Sequence, residues 1–328
     1  MIRFSHIYIE EDAYHYPITS QILTKYQNSI QIKVQNYKHI FNRPNQNFQE
    51  QKNSVKLILA VKKDNFYYKG SSVVNDYGFE NFYYNTLILN CVYNCEYCYL
   101  QGMFSSGNIV VFVNVEDYFR ETEKLLTDKP TYLCISYETD LLAMEDLVPY
   151  TSSWINFARL HPNLTIEIRT KSNKYHLIKH LKPCENVILA WTISPDEIVK
   201  RYESKTPTLN RRLSDIQLAL CDGWRVRLCF DPILHVKNWK EIYGNFVDFA
   251  FTRISAEKIF DISLGTFRIN ADYLKKMKKL RPDSDILYYP FDRSGQLSIY
   301  PEGKVIEIME FMTNRITKFY ERDKVFRT

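Results

Sequence analysis

Three thiols fall within eight consecutive residues, Cys91-Val92-Tyr93-Asn94-Cys95-Glu96-Tyr97-Cys98. No fourth cysteine or histidine lies near them; the next thiol is Cys134 and the next histidine downstream is His161. A structural zinc site closes with four ligands, commonly in two pairs, so a run of three is one short. A four-iron cluster can be held by three cysteines, which leaves one iron open to a ligand that is not protein. Two plainer accounts are incidental buried thiols and a zinc site completed by a remote ligand. Three of seven cysteines in so short a run favour the cluster over both.

Such a loop needs a scaffold, and the chain offers one from about residue 82 onward. Apolar runs at Leu87–Leu89, Tyr132–Ile135, Leu164–Ile168, Val187–Trp191, Val226–Phe230 and Ile259–Leu264 read as six strands. Helical stretches at Val115–Leu126, Leu142–Leu160 and Leu209–Leu220 separate them, and a further strand, Ile109–Val113, lies in the first connection. Ser194-Pro195-Asp196-Glu197 reads as a helix start, with Ser194 as N-cap, proline at the first position and two acids at the positive end of the dipole. Alternating strand and helix predicts an α/β fold with a parallel sheet, whose ligands sit at the carboxyl ends of the strands. The cysteine loop follows the first strand and so lies at that rim. Residues 1–81 read as an N-terminal extension packed on the barrel, and 82–280 as the barrel itself. Residues 281–328 read as a β-hairpin (286–290 and 297–300 around Ser294-Gly295) plus a helix from Pro301 to Tyr320.

The later strands end in polar residues: Tyr137-Glu138-Thr139-Asp140, Arg169-Thr170-Lys171, Thr192-Ile193-Ser194 and Asp231. Any one of these could be polar because it meets solvent. As a set converging on the cysteine loop they suit a polar cofactor.

The cysteine spacing is similar to that of the radical S-adenosylmethionine (SAM) enzymes, where SAM chelates the open iron through its amino and carboxylate groups. Over roughly residues 82–305 the chain resembles the spore photoproduct lyase family. The match runs through Cys98-Tyr99-Leu100-Gln101, Val111-Phe112-Val113-Asn114, Thr139-Asp140, Thr170-Lys171, Thr192 and Phe251-Thr252-Arg253. The resemblance implies a partial (β/α)6 barrel of radical SAM type and a lyase that reverses a methylene-bridged thymine dimer in DNA. It implies a 4Fe-4S cluster on Cys91, Cys95 and Cys98, SAM as cofactor, and an electron donor such as flavodoxin or ferredoxin. Tyr97 would pack near the adenine, Thr139, Asp140, Lys171, Thr192 and Ser194 would hold SAM, and Tyr99 would relay a hydrogen atom.

One departure matters. Many members carry a hydrogen-donating cysteine three residues before the aspartate matched by Asp140, and here that position is Tyr137. Period-two alternation places Cys134 on the opposite face, in the core, while Cys229 is a candidate to face inward. Hydrogen return then falls to Tyr137, Tyr99 or another thiol.

Bulk composition bounds the rest. The chain has 328 residues, a net charge of +5 from 43 basic and 38 acidic side chains, and 25 Tyr and 20 Phe. That permits nucleic-acid binding without requiring it. The N-terminus has no apolar signal region, no stretch reaches the roughly 18 apolar residues of a membrane span, and seven cysteines suit a reducing compartment. The expectation is a cytoplasmic monomer. Arg293, at the hairpin tip, is a candidate DNA wedge, with a solvated turn as the plainer account. The rival functions are a radical SAM paralogue with another nucleic-acid substrate and a DNA-binding protein with a structural cluster, which would not bind SAM.

Overall fold

The computed structural model describes residues 2–70, 75–126 and 129–328. Six parallel strands neighbour one another in chain order: β1 (Asn81–Asn85), β2 (Thr131–Cys134), β3 (Leu164–Thr170), β4 (Val187–Thr192), β5 (Arg225–Ile233) and β6 (Asp261–Thr266). Their outward side chains, such as Ile166, Ile168, Leu189, Trp191 and Leu228, are buried in the main apolar core. Inward-facing positions are largely polar. On β5, Arg227 donates to Tyr132 of β2 (2.7 Å), to Glu167 of β3 (2.6 Å) and to Asp261 of β6 (2.5 and 2.6 Å). Strands lie about 4.8 Å apart, so a flat sheet would separate β2 from β5 by roughly 14 Å. One guanidinium can bridge them only because the sheet curls into the expected partial barrel.

The amino end of the barrel is plugged. Tyr77 lies over the Arg227 guanidinium, 3.4 Å from its ring centroid, and meets Phe326 edge-on at 5.3 Å. Phe326 belongs to the strand Val325–Arg327, which continues the sheet beyond β6. Among the described residues no helix is long and apolar enough to cross a membrane.

Several sequence-based boundaries change. The first barrel strand is Asn81–Asn85, not the run at Leu87–Leu89. Ile88–Leu89 instead pairs antiparallel with Ile109–Phe112 in a second sheet ordered 30–34, 6–10, 57–60, 109–112, 88–89. The segment read as an N-terminal extension therefore shares its sheet with strands from beyond residue 81. The apolar run is buried in the main core, whereas β1 alternates Phe82 and Tyr84 inward with Tyr83 outward. The helix expected over 142–160 is a short turn, Leu142–Met144, followed by Tyr150–Leu160. Pro149 breaks it, since the residue before a proline avoids helical angles. Glu145 then caps the second piece by accepting from the amides of Thr151 (2.8 Å) and Ser152 (3.0 Å).

The hairpin pairs Asp292–Ser294 with Leu297–Ile299, and Arg268–Asn270 adds a third strand. Residues 286–290, read as the first arm, begin instead within the 3-10 turn Asp285–Leu287, whose Ile286 and Leu287 are buried. The terminal helix is Glu302–Ile316. Ser194 is not an N-cap: the helix is Asp196–Tyr202 with Pro195 at the cap, and the Ser194 hydroxyl turns inward to Glu203 (2.9 Å).

Candidate active site

The cysteine loop is set by its neighbours. Asn90 adopts a left-handed φ of 68°, tolerable for asparagine, and its amide donates to the carbonyls of Ser106 and Asn108 (both 2.7 Å). That turns the chain into the loop at the carboxyl rim. Asn94–Cys95 then pairs antiparallel with Glu203–Ser204. Behind the loop, Arg281 donates to Gln101 (2.7 Å) and to the Asn94 side chain (2.6 Å). Gly102 is pressed on Tyr273, where a Cβ would stand 2.7 Å from backbone atoms.

Cys95 is buried, and Cys91 and Cys98 are half-buried, all three as free thiols lining one cavity with Asn90, Phe48 and Lys52. Among the described residues no three Cys, His, Asp or Glu side chains converge as a single metal ion would require. Three soft donors spread around a cavity suit a multi-iron cluster, each thiolate meeting a different iron. Burial, with Asp140 nearby, pushes the Cys91 thiol up to about 12, so cluster binding must displace protons there.

The outer wall of this cavity was invisible in the sequence. The helix Phe48–Asn53 is stapled to the loop: Gln49 donates to Gln101 (3.0 Å), Asn94 to Gln49 (3.2 Å), and Gly107 to Gln51 (2.7 Å). Lys52 is 3% exposed and donates to the Cys91 carbonyl, while Lys205 donates to the Lys52 carbonyl. Burial lowers the Lys52 pKa and the neighbouring cysteines oppose that; in its ammonium form it would stabilise the more negative, reduced state of a bound cluster. Lys52→Met is expected to move the cluster midpoint negative by on the order of 50–100 mV, from roughly 2 kcal/mol of charge–charge interaction at an effective dielectric near 20. An EPR-monitored redox titration of reconstituted protein reads this, and an unchanged midpoint removes the role.

On the barrel side, Lys171 lies 5.4 Å from the Tyr97 ring centroid. The Tyr97 hydroxyl donates to Glu203, which also accepts from Ser194 and from Arg212. Arg212 additionally donates to the carbonyl of Thr192 (3.2 Å) and the hydroxyl of Thr206 (2.7 Å). Burial works against charge on Lys171, yet Glu203 and Cys95 outweigh it and its pKa is raised. Asp140 accepts from the Ala143 amide (3.0 Å), the Thr170 hydroxyl (2.7 Å) and the Lys171 amide (2.6 Å), so it locks the end of β3 to the turn after β2.

Thr139 Oγ1, Asn90 Oδ1 and both polar atoms of the Asn85 amide are buried without a protein partner. Buried polar groups are rarely left so, which fits a polar cofactor at this rim. Burial pushes the neighbouring Glu138 carboxyl up to about 7, with Lys62 among the groups that partly offset it.

Cys134 requires a correction. Its Sγ lies 4.0 Å from Glu167 Oε1, and it packs with Phe82, Tyr132 and Ile188 inside the barrel. Alternation failed because β2 ends at Cys134, Ile135 bends, and Tyr137–Glu138 form a turn. Cys134 and Tyr137 therefore both face inward, with Tyr137 also packed on that cluster. Tyr137 stacks on Tyr84 (centroids 4.2 Å apart), and Tyr99 donates to the Tyr137 carbonyl (2.9 Å), not to its phenol. Cys229 is fully buried on the inner face between Arg227 and Asp231. Arg293 is exposed on the hairpin and donates to the Gly295 carbonyl (2.9 Å). The sequence reading missed Lys52, Glu203 and Arg212. Arg201-Tyr202-Glu203 offers only the look of a solvated helix end.

A family model described as spore photoproduct lyase matches residues 3–326. Curated spore photoproduct lyases from Bacillus subtilis (22% identical, over 97% of this chain and 96% of that one) and Clostridium acetobutylicum (21%, over 97% of each) are similar across their length. Among solved structures, a cysteine-to-alanine mutant of spore photoproduct lyase superposes with a TM-score of 0.83 at 17% identity, over 99% of both chains. A double mutant of spore photoproduct lyase with bound AdoMet and dinucleoside spore photoproduct gives 0.82 at 16% identity, over 99% of this chain and 98% of that one.

Proposed function

Because the chain belongs to the spore photoproduct lyase family, we propose that it is a radical SAM lyase that reverses the spore photoproduct in DNA. The observation that carries this is the three-thiol loop at the barrel's carboxyl rim beside orphaned Thr139 and Asn85, in a chain that matches the family along its length. When bound, the 4Fe-4S cluster and SAM would supply the one-electron radical chemistry that opens the lesion.

The chain's own residues bind, orient and seal. Cys91, Cys95 and Cys98 hold the cluster. Lys171, aimed by Asp140 through its backbone, meets the SAM carboxylate with a charge-assisted bond. Thr139, Thr192 and Ser194 add polar contacts, and Tyr97 walls the adenine side. The lesion must leave the stack to reach the barrel mouth, and the hairpin bearing Arg293 is the element we assign to opening the duplex. We further propose a flavodoxin- or ferredoxin-type donor and action as a cytoplasmic monomer.

Hydrogen return needs an S–H or O–H facing the interior, and Cys134 supplies the former. Burial first, and the Glu167 carboxylate second, keep it a protonated thiol. Transfer of its hydrogen atom to the product carbon radical leaves a thiyl radical, which takes a hydrogen atom from the Tyr137 or Tyr99 O–H; the resulting phenoxyl radical is reduced by one electron from the proposed flavodoxin- or ferredoxin-type donor and one proton from water. Cys134→Ala should keep SAM cleavage but divert repair to side products, whereas Cys229→Ala should repair cleanly. Product distribution on a synthetic dinucleoside lesion checks this, and clean repair by Cys134→Ala would return the role to Tyr137.

The function itself is tested by anaerobic reconstitution with iron, sulfide, SAM and dithionite. Lesion-dependent 5′-deoxyadenosine together with restored dithymidine is expected. SAM cleavage without repair would point to a paralogue acting on another lesion, and no SAM binding to a structural cluster.

A further inference from the structure

The helix Ala271–Leu280 reads Ala-Asp-Tyr-Leu-Lys-Lys-Met-Lys-Lys-Leu and follows directly on the third strand of the hairpin sheet. Leu274 and Met277 bury one face, and Tyr273 seats on Gly102 in the short helix Leu100–Met103 that follows the cysteine loop. The other face presents Lys275, Lys276 and Lys279 to solvent. None of these makes an ion pair among the described residues. Some exposed lysines elsewhere do, as in Lys33–Glu11 (2.8 Å), Lys63–Asp12 (2.8 Å), Lys240–Glu307 (2.7 Å) and Lys324–Glu321 (2.8 Å), and others such as Lys200 and Lys258 do not; what sets the helix apart is that its three lysines share one face.

The helix dipole favours cations in the last turn, which accounts for Lys278 and Lys279. It does not account for Lys275 and Lys276 in the middle, and Lys275 opposes Lys279 at i,i+4, an unfavourable spacing for like charges. Beside the lysines stands an aromatic surface. Tyr288 is 50% exposed, donates to the Lys278 carbonyl (3.1 Å) and lies under the Lys278 ammonium, 5.1 Å from the ring centroid. Arg281, next along the chain, is the residue that anchors the cysteine loop.

A row of unpaired ammonium groups with an exposed ring, on elements that flank the reaction rim, has the composition of a nucleic-acid backbone track. Resting on the lyase function proposed above, we infer that the 271–280 helix binds the phosphate backbone of duplex DNA beside the lesion. Its lysines act as sequence-independent point charges that fix the duplex in register with the barrel mouth.

The test pairs two substrates, since a dinucleoside lesion lacks flanking backbone. The variant Lys275→Gln/Lys276→Gln/Lys279→Gln removes the charges while keeping good helix formers. For the variant, the slope of log affinity against log salt on undamaged duplex should become shallower by about 2–3, given ~0.9 per phosphate contact. KM for lesion in duplex should rise about tenfold or more, with kcat on the dinucleoside unchanged. The control Lys33→Gln/Lys63→Gln/Lys324→Gln should keep the wild-type slope. An unchanged slope in the helix variant overturns the track. Equal loss on both substrates also overturns it, by assigning the lysines to folding or to chemistry. Failure of the wild type on the dinucleoside would instead sink the lyase function itself.

Discussion

Alanine at position 95 is expected to abolish SAM cleavage while leaving a folded protein. Cys95 is the buried member of the three thiols, and its backbone is pinned by the pairing with Glu203–Ser204. Its sulfur can be removed without disturbing the ladder that shapes the loop. The cluster is then left with two protein ligands. After anaerobic reconstitution, iron content and the brown chromophore should collapse, and 5′-deoxyadenosine should fall below detection. Loss of one small buried side chain should cost the fold only about 1 kcal/mol. Iron analysis, product assay and urea unfolding together separate cluster loss from misfolding. A Cys95→Ala protein with wild-type SAM cleavage would remove the cluster assignment.

The second large effect is on stability and needs no cofactor to observe. Glu203 and Arg212 form an ion pair with both side chains fully buried. Removing one partner from such a pair leaves an uncompensated charge and is worth about 3–5 kcal/mol. Glu203→Ala should therefore lower the unfolding free energy of the apo protein by several kcal/mol. Glu203→Leu/Arg212→Met should recover most of it. The same pair fixes the pH response. Burial alone would raise the Glu203 carboxyl, but Arg212, Lys171 and the Tyr97 hydroxyl outweigh it and hold it down to about 2. A depressed carboxyl stabilises the fold above its ordinary value of 4.5 and ceases to do so as pH falls through about 2. Wild-type stability should thus decline across that window, and the double variant should lack this component. A Glu203→Ala protein within 1 kcal/mol of wild type would show that the pair does not anchor the site.

Much of this arrangement was legible in the sequence because it rests on short-range pattern. The last five barrel strands coincide with apolar runs, and the cysteine loop declares itself by spacing. Errors arose where a buried run fits either sheet or where a strand stops. Ile88–Leu89 is apolar because it is buried at the edge of the second sheet, and burial alone could not say which sheet it joins. Cys134 was turned the wrong way because period two was carried past the last residue of β2 into a turn. Ser194 carries a capping sequence but is claimed by Glu203, nine residues on. Lys52, Glu203 and Arg212 meet the site only through tertiary contact, and a lysine on a six-residue polar helix has no local mark of burial.

The stapled helix Phe48–Asn53 also bears on maturation. Six residues are too few to stay helical alone, so its docking depends on the side-chain staples that tie it to the loop. Elements held this way can detach in local openings that leave the barrel intact. Phe48 and Lys52 wall one side of the cavity that Cys91, Cys95 and Cys98 line, so opening of this helix would widen the way in for iron and sulfide. The same opening would widen the way in for dioxygen. Loading speed and oxidative lifetime would then draw on one local equilibrium, so a change that frees this helix would quicken assembly and shorten the life of what is assembled.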